Sequence, residues 1–88
     1  MPTVWIPATL RALTHQQETV RVGGATVREV IDHLDAQFPG IKARLCDGDN
    51  LRPGIVVAID SDVSRTGLGQ EVNENSEVHF LPAIGGGS

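Results

Sequence analysis

The sequence predicts an α+β fold in which one main helix crosses a mixed sheet. Two short alternating segments lie near the N-terminus, a capped amphipathic helix follows them, and further strand-like segments occupy the second half. With 88 residues and a mass of 9.4 kDa, the chain is expected to form one small domain around a single core.

The first two strands are predicted from β-branched residues and alternation. Thr3 to Pro7 (TVWIP) combines β-branched residues with the single Trp, and Glu18 to Val22 (ETVRV) alternates valines with polar residues. The intervening ATLRALTHQQ is short enough to connect a hairpin. We therefore expect an antiparallel pair joined by a turn.

The main helix is predicted from its cap and its periodicity. Two glycines break the second strand, and Thr26 then occupies the N-cap position with Glu29 at the capping-box position. A helical apolar face follows, made of Val27, Val30, Ile31, Leu34 and Phe38. Pro39 and Gly40 indicate where the helix ends.

The middle of the chain contains one more clear strand. After a helical turn at IKARLC and a turn-rich DGDNLRPG, Ile55 to Ile59 (IVVAI) is apolar at every position. This pattern suits a central strand covered on both faces, or a strand with one face reserved for a partner. The next segment is predicted as loop, with a short strand near Val63.

The last strand, EVHFL, follows a turn at NENS and alternates again. Val78 and Phe80 should face inward, and His79 and Leu81 outward. A hairpin, a crossing helix and a last strand able to lie parallel to the first is the order of the β-grasp, or ubiquitin-like, architecture. We assign residues 1–84 to this domain and residues 85–88 to a Gly-rich flexible tail.

Composition excludes several classes of function. A net charge of −4 argues against nucleic acid and makes a basic partner surface more suitable than an acidic one. No membrane span or secretory leader is indicated, so we expect a cytoplasmic protein. One cysteine, Cys46, and three scattered histidines give no basis for a metal site.

Several features together resemble the ubiquitin-like sulfur carriers of the ThiS and MoaD type. They are the capped helix that ends in PG, the IVVAI strand, the turn before the last strand and, above all, the ending LPAIGGG. The resemblance covers the whole chain, and the branch that serves cysteine synthesis is the closest likeness. In that family a proline-containing apolar segment stands directly before a terminal Gly-Gly.

The resemblance implies that the protein is a sulfur donor rather than an enzyme. Gly87, preceded by Gly86, would be adenylated by an activating enzyme that uses ATP, and the resulting thiocarboxylate would serve a sulfur-acceptor synthase. No bound cofactor is expected. Because Ser88 follows Gly87, the sequence departs from the family pattern, and a peptidase would have to trim the tail unless Ser88 is foreign to the protein.

Partner binding is assigned to the outward face of the sheet and the tail. The predicted residues are Val56, Ala58, His79, Leu81, Pro82, Ile84 and Gly85. Glycines suit the tail because a backbone without Cβ can enter a narrow nucleotide site, while Pro82 stiffens its root. Covering of the outward face by the chain's own loops is an equally open alternative.

Two other functions stay open at this point. The chain could be a ubiquitin-like modifier that forms isopeptide bonds, although Lys42 is its only lysine and chains of varied linkage are therefore disfavoured. It could also be a non-covalent binding subunit with an inert tail. No catalytic constellation can be argued from residue spacing, and His79 is assigned no catalytic role.

Overall fold

The structure, a computed structural model, describes residues 1–64 and 66–82. A five-stranded sheet has the order β2-β1-β7-β5-β6. Its strands are β1 (Thr3–Trp5), β2 (Thr19–Arg21), β5 (Ile55–Ile59), β6 (Asp62–Val63) and β7 (Glu77–Pro82). A separate small hairpin consists of β3 (Cys46–Asp47) and β4 (Asn50–Leu51).

Two α-helices and two 3₁₀ helices connect these strands. The main helix α1 covers Val27–Gln37, and the short α2 covers Ile41–Leu45. The 3₁₀ helices cover Ala8–Thr14 and Gly67–Gly69.

The strand pairing confirms the β-grasp architecture. β1 and β2 form the predicted antiparallel pair, and β7 lies parallel to β1, with Val4 opposite Val78. On its other side β7 pairs antiparallel with β5, with Val57 opposite Phe80. The last long strand is therefore central, between the first strand and the IVVAI strand.

The core lies between the sheet and α1. All five apolar residues assigned to the helix face are buried, with exposures of at most 8%. They pack with inward residues of the sheet, among them Val4, Val20, Val57, Val78 and Phe80. Alternation predicted the inward residues of β7 correctly.

The start of α1 is capped by side chains. The Thr26 hydroxyl accepts a hydrogen bond from the Glu29 backbone N–H at 3.3 Å. The Glu29 carboxylate accepts from the N–H of Ala25 at 3.0 Å, one residue before the expected partner. The two bonds satisfy backbone donors at both sides of the helix start.

Gly24 is required where the second strand leads into α1. Its φ is +149°, and a Cβ built there would lie 2.8 Å from the Val30 backbone nitrogen. A side chain would collide with the first turn of the helix. Gly23, by contrast, has open space around its Cβ position.

The connection between β1 and β2 differs from the prediction. A turn was expected, but Ala8–Thr14 forms a 3₁₀ helix. Leu10 and Thr14 are buried, and the Thr14 hydroxyl lies 3.0 Å from the Gln17 carbonyl oxygen, to which it donates. The segment becomes helical because it covers one end of the core.

The segment predicted as turn-rich also contains the small β3–β4 hairpin. Cys46 pairs with Leu51 and Asp47 with Asn50, and Gly48 adopts φ +65° in the connecting turn. Two residues per strand are too few for alternation to be visible in the sequence. The predicted helical turn at α2 and the short strand at Val63 are confirmed.

No helix within the described ranges has the length and apolar character needed to cross a membrane. Nor do residues 1–64 and 66–82 contain a group of three or more His, Cys, Asp or Glu side chains that could hold a metal ion.

Candidate functional site

The side of the sheet opposite α1 brings four of the predicted partner-binding residues together. Val56 on β5 lies opposite Leu81 on β7, and Ala58 lies opposite His79. Since directly paired residues point to the same side of a sheet, these four belong to one surface. We call this surface, together with Trp5 and Val63, the outer face.

Trp5 and Val63 extend the outer face across the sheet. Trp5 on β1 lies opposite His79, and Val63 on β6 lies opposite Ala58. The row Trp5, His79, Ala58 and Val63 therefore crosses four strands. Trp5 and Val63 are 37% and 60% exposed.

A stacked pair occupies the middle of the outer face. The rings of Trp5 and His79 lie with centroids 5.2 Å apart and planes 9° from parallel. The indole N–H of Trp5 donates to the Glu77 carboxylate at 2.9 Å, and the same oxygen lies 3.9 Å from Nε2 of His79. The carboxylate thus fixes the indole ring against the imidazole, and the pair offers a partner a preformed flat surface.

The four predicted residues differ in how much surface they offer. Leu81 is 40% exposed, and Val56 and His79 are half-buried. Ala58 is only 3% exposed although it lies on the outer face. Its small side chain sits below its neighbours, so a partner would contact those neighbours rather than Ala58.

The tail follows directly from this surface. Pro82 is the last residue of β7 and lies opposite Ile55. The other tail residues assigned to partner binding or to sulfur chemistry, namely Ile84, Gly85, Gly86 and Gly87, lie outside the described residues. The division into a domain of 1–84 and a tail of 85–88 therefore stays a prediction.

Sequence reasoning missed Trp5, Val63 and Glu77 as members of the site. A signal for Trp5 was available, because burial of Val4 in an alternating strand turns Trp5 outward. The contact between Trp5 and Glu77 could not be inferred, since 72 positions separate them and the parallel register of β1 and β7 brings them together.

Cys46 has the surroundings of a structural residue. It is 7% exposed, and burial raises the pKa of its thiol, with the nearby Lys42 acting in the opposite direction. A buried thiol that resists ionisation is a poor nucleophile. Cys46 therefore acts as a small buried residue of the core.

The geometry defines a class: a β-grasp domain of the ubiquitin-like type, with a semi-apolar outer face and a C-terminal segment that continues from the central strand. The chain belongs to the ThiS family, whose model matches residues 4–87. The match covers all but the first three residues of the described part of the chain and ends on Gly87.

Similar proteins agree with this membership. The chain is 36% identical to the sulfur carrier protein CysO of Mycobacterium tuberculosis over 92 aligned positions, covering 97% of each chain. The crystal structure of a BexX/CysO complex from Amycolatopsis orientalis contains a chain with a TM-score of 0.90 and 38% identity, covering 99% of this chain and all of that one. SAMP1 from Haloferax volcanii has a TM-score of 0.76 at 26% identity, covering 98% of both chains.

Proposed function

We propose that this protein is a sulfur carrier whose Gly87 carboxylate is converted to a thiocarboxylate. The observation that carries the proposal is the family match, which begins at residue 4 and has Gly87 as its last matched residue. The identity with a sulfur carrier protein over nearly the full length of both chains supports it.

The proposed chemistry is activation followed by sulfur transfer. A carboxylate oxygen of Gly87 attacks the α-phosphorus of ATP, pyrophosphate leaves, and an acyl adenylate forms. Hydrosulfide then attacks the acyl carbon and displaces AMP, which leaves a thiocarboxylate. A persulfide in its place would give an acyl disulfide, and a second thiol of the sulfur-donating partner would cleave the S–S bond, forming a disulfide with the donor and releasing the thiocarboxylate. ATP is bound by the activating enzyme, so the carrier itself needs no cofactor and acts as a protein-borne substrate rather than as an enzyme.

The glycines suit this role for steric reasons. The reacting carboxylate must enter a nucleotide site, and a backbone without Cβ can pass a narrow channel in any conformation. Pro82 to Gly87 reach at most about 20 Å when extended. That length allows the end of the tail to enter a partner while the outer face contacts its surface.

The outer face is the proposed docking surface for the activating enzyme. It combines exposed apolar side chains at Leu81 and Val63 with the stacked rings of Trp5 and His79. Aromatic and apolar residues at the centre of an interface supply most of its binding energy.

A second partner would accept the sulfur. One solved relative is a complex of CysO with another protein, BexX, so a protein similar to this chain forms such assemblies. The resemblance to the cysteine-synthesis branch leads us to place the acceptor in cysteine synthesis, ahead of thiamine, molybdopterin or a related metabolite. Residues beyond Gly87, Ser88 among them, would first be removed by a peptidase.

A second candidate function is protein modification, which the similarity to SAMP1, the small archaeal modifier protein 1, favours. Here the activated Gly87 would be passed to a lysine amine. Lys42, the chain's only lysine, lies 2.6 Å from the Asp32 carboxylate, and this hydrogen bond raises the Lys42 pKa. A charged, paired amine is a poor nucleophile, so polymers of this chain are disfavoured, while single-unit conjugation is not.

The decisive experiment uses a chain that ends at Gly87 and the activating enzyme from the same genome. With ATP we expect pyrophosphate release, and with a sulfur source a mass change equal to replacement of one oxygen by sulfur. The matched control is Gly87→Ala in the same shortened chain, which adds a Cβ beside the reacting carboxylate. It should suppress both signals and leave the denaturation midpoint unchanged.

The outcomes separate the candidates. Thiocarboxylate on the free protein supports the carrier, whereas branched peptides between Gly87 and lysines of other proteins support the modifier. Equal activation of the Ser88 form would show that trimming is unnecessary. If no co-occurring adenylating enzyme releases pyrophosphate with the shortened chain, the sulfur-carrier proposal fails.

A further inference from the structure

Glu77 presents a carboxylate beside the outer face. It lies two residues before His79 on β7, and alternate residues of a strand point to the same side of the sheet. Its oxygen Oε1 accepts the hydrogen bond from the Trp5 indole. Its other oxygen accepts none from residues 1–64 or 66–82, and 55% of the side-chain surface is exposed. The carboxylate can therefore accept further hydrogen bonds from a partner.

The position of this carboxylate is fixed before any partner binds. The backbone N–H of Glu77 donates to the Asp60 carboxylate at 2.9 Å, and the N–H of Asp60 donates to the Glu77 carbonyl oxygen at 3.0 Å. The bond from the indole N–H, at 2.9 Å, holds the side chain as well. Groups that are already ordered lose less conformational entropy on binding, so Glu77 is suited to recognising a partner.

The indole ring of Trp5 adds an aromatic face next to the carboxylate. His79 on β7 covers one face of the ring with a parallel stack. Because β2 and β7 flank β1 on opposite sides, the second face of the ring is directed toward β2. There Thr19 lies opposite Trp5, and Thr19 is short and exposed. With 37% of its surface exposed, Trp5 thus offers ring surface beside Glu77.

Arg21 stands near this place but does not fill it. Arg21 on β2 lies opposite Thr3, which lies opposite Glu77, so two strand spacings of about 4.8 Å separate Arg21 from Glu77. At a separation of about 10 Å, its charge is largely screened at physiological salt. Within residues 1–64 and 66–82, the one ionic contact of Glu77 is with His79, at 3.9 Å. A cation from a partner can therefore bind here, and it would complement the net charge of −4.

A guanidinium matches this combination better than an ammonium does. It is planar and weakly hydrated, so it can lie on an aromatic ring while its N–H groups donate to a carboxylate. A lysine ammonium is compact and strongly hydrated, and it offers no plane for stacking. A carboxylate and an indole side by side therefore indicate arginine.

We propose, on the basis of the function proposed above, that an arginine of the activating enzyme binds at Trp5 and Glu77. Its guanidinium lies on the exposed face of the indole and donates to the second oxygen of the carboxylate. Leu81 and Val63 supply apolar contact over the rest of the outer face. The arginine fixes the orientation of docking, because a charge pair of defined geometry contributes specificity as well as affinity.

Glu77→Gln tests the charge while keeping an acceptor for the Trp5 indole. The glutamine carbonyl can still accept from the indole N–H, so the denaturation midpoint and the fluorescence of the single Trp should stay unchanged. In calorimetric titration of the adenylating enzyme from the same genome, we expect Kd to rise about 10-fold and to depend less steeply on salt. The matched control is Glu71→Gln, which removes the same charge at an exposed position paired with Thr26, before α1. It should leave Kd within about twofold of the unmodified chain.

Replacement of arginines on the enzyme makes the test independent of any change in this chain. Each exposed arginine of the enzyme is changed to Ala and titrated with the unmodified chain and with Glu77→Gln. One replacement should weaken binding of the unmodified chain about 10-fold, and that of Glu77→Gln by less than about threefold. Lysine at the same position should restore only part of the affinity, because the charge stays while the stacking is lost.

Three results would overturn the proposal. The first is a Kd for Glu77→Gln that is unchanged or rises no more than that of Glu71→Gln. The second is an effect of Glu77→Gln that couples to no arginine of the enzyme. The third is full restoration of affinity by lysine, which would show that a point charge is enough and that the indole face takes no part.

Failure here is distinguishable from failure of the proposed function. If the enzyme activates the chain that ends at Gly87 and binds its Glu77→Gln form equally well, the sulfur-carrier proposal stands and the arginine contact is wrong. If no adenylating enzyme binds or activates the unmodified chain, the sulfur-carrier proposal fails, and the arginine contact fails with it.

Discussion

Leu81→Glu is the sharpest test of the outer face as a docking surface. Leu81 keeps 40% of its surface exposed and points away from the core, so a glutamate there can keep its charge in water in the free protein. The fold should survive. In the complex the glutamate carboxylate would be removed from water at a position where the partner contacts a leucine in the unmodified protein.

The expected loss of affinity follows from the exposed fraction. Full burial of a leucine side chain contributes about 1.5–3 kcal/mol, so the remaining 40% can contribute roughly 0.6–1.2 kcal/mol on docking. Desolvating the unpaired carboxylate adds a penalty of about 1–3 kcal/mol or more. A total of about 2–4 kcal/mol corresponds to an increase in Kd of roughly 30- to 1,000-fold.

The assay is calorimetric titration of the cognate adenylating enzyme with each variant. Val56→Glu, directly opposite Leu81, should weaken binding in the same direction. Ala43→Glu is the matched control, because it adds the same charge at an exposed position on α2, away from the outer face. If the outer-face variants and Ala43→Glu all bind as the unmodified chain does, the outer face is not the docking surface.

Three further predictions concern stability and reactivity. Leu34→Ala should lower the free energy of unfolding by about 2–5 kcal/mol in urea titrations, because Leu34 is fully buried under the sheet, and an unchanged midpoint would contradict this packing. Gly24→Ala should cost about 2–4 kcal/mol through its positive φ and its collision with Val30, whereas Gly23→Ala should be neutral or stabilising by up to about 1 kcal/mol; equal effects would refute the steric account. Cys46 should react with iodoacetamide several-fold more slowly in the folded than in the denatured protein at pH 8, because burial raises its thiol pKa, and equal rates would show that the thiol is accessible.

Local signals predicted most of the fold. The Thr26 cap and the five-residue apolar face define α1 without any reference to the rest of the chain, and both are found in the structure. Alternation assigned Val78 and Phe80 to the core and His79 and Leu81 to the other side. These features depend on neighbours within a few positions, which a sequence displays directly.

Features that depend on distant contacts were not predictable in the same way. Ala8–Thr14 is helical because Leu10 and Thr14 close the end of the core, and no cap or glycine marks that helix. Ala58 was expected to offer partner surface, yet it is buried. Its burial depends on the sizes of the side chains around it on the adjacent strands. The Trp5–Glu77 hydrogen bond requires the parallel register of the first and last strands.

The topology explains how one short chain can combine docking with delivery of its tail. β7 pairs with β1 over Glu77 to His79 and with β5 over Val78 to Pro82, so the start of the strand lies between two neighbours and its end is held by β5. Its inward side chains anchor it in the core, and its outward ones form part of the outer face. The outer face and the end of β7 belong to the same sheet. A partner that binds the outer face therefore also fixes the position at which the tail begins. Only the positions after Pro82 then remain to be oriented, which reduces the entropy that delivery of Gly87 would cost.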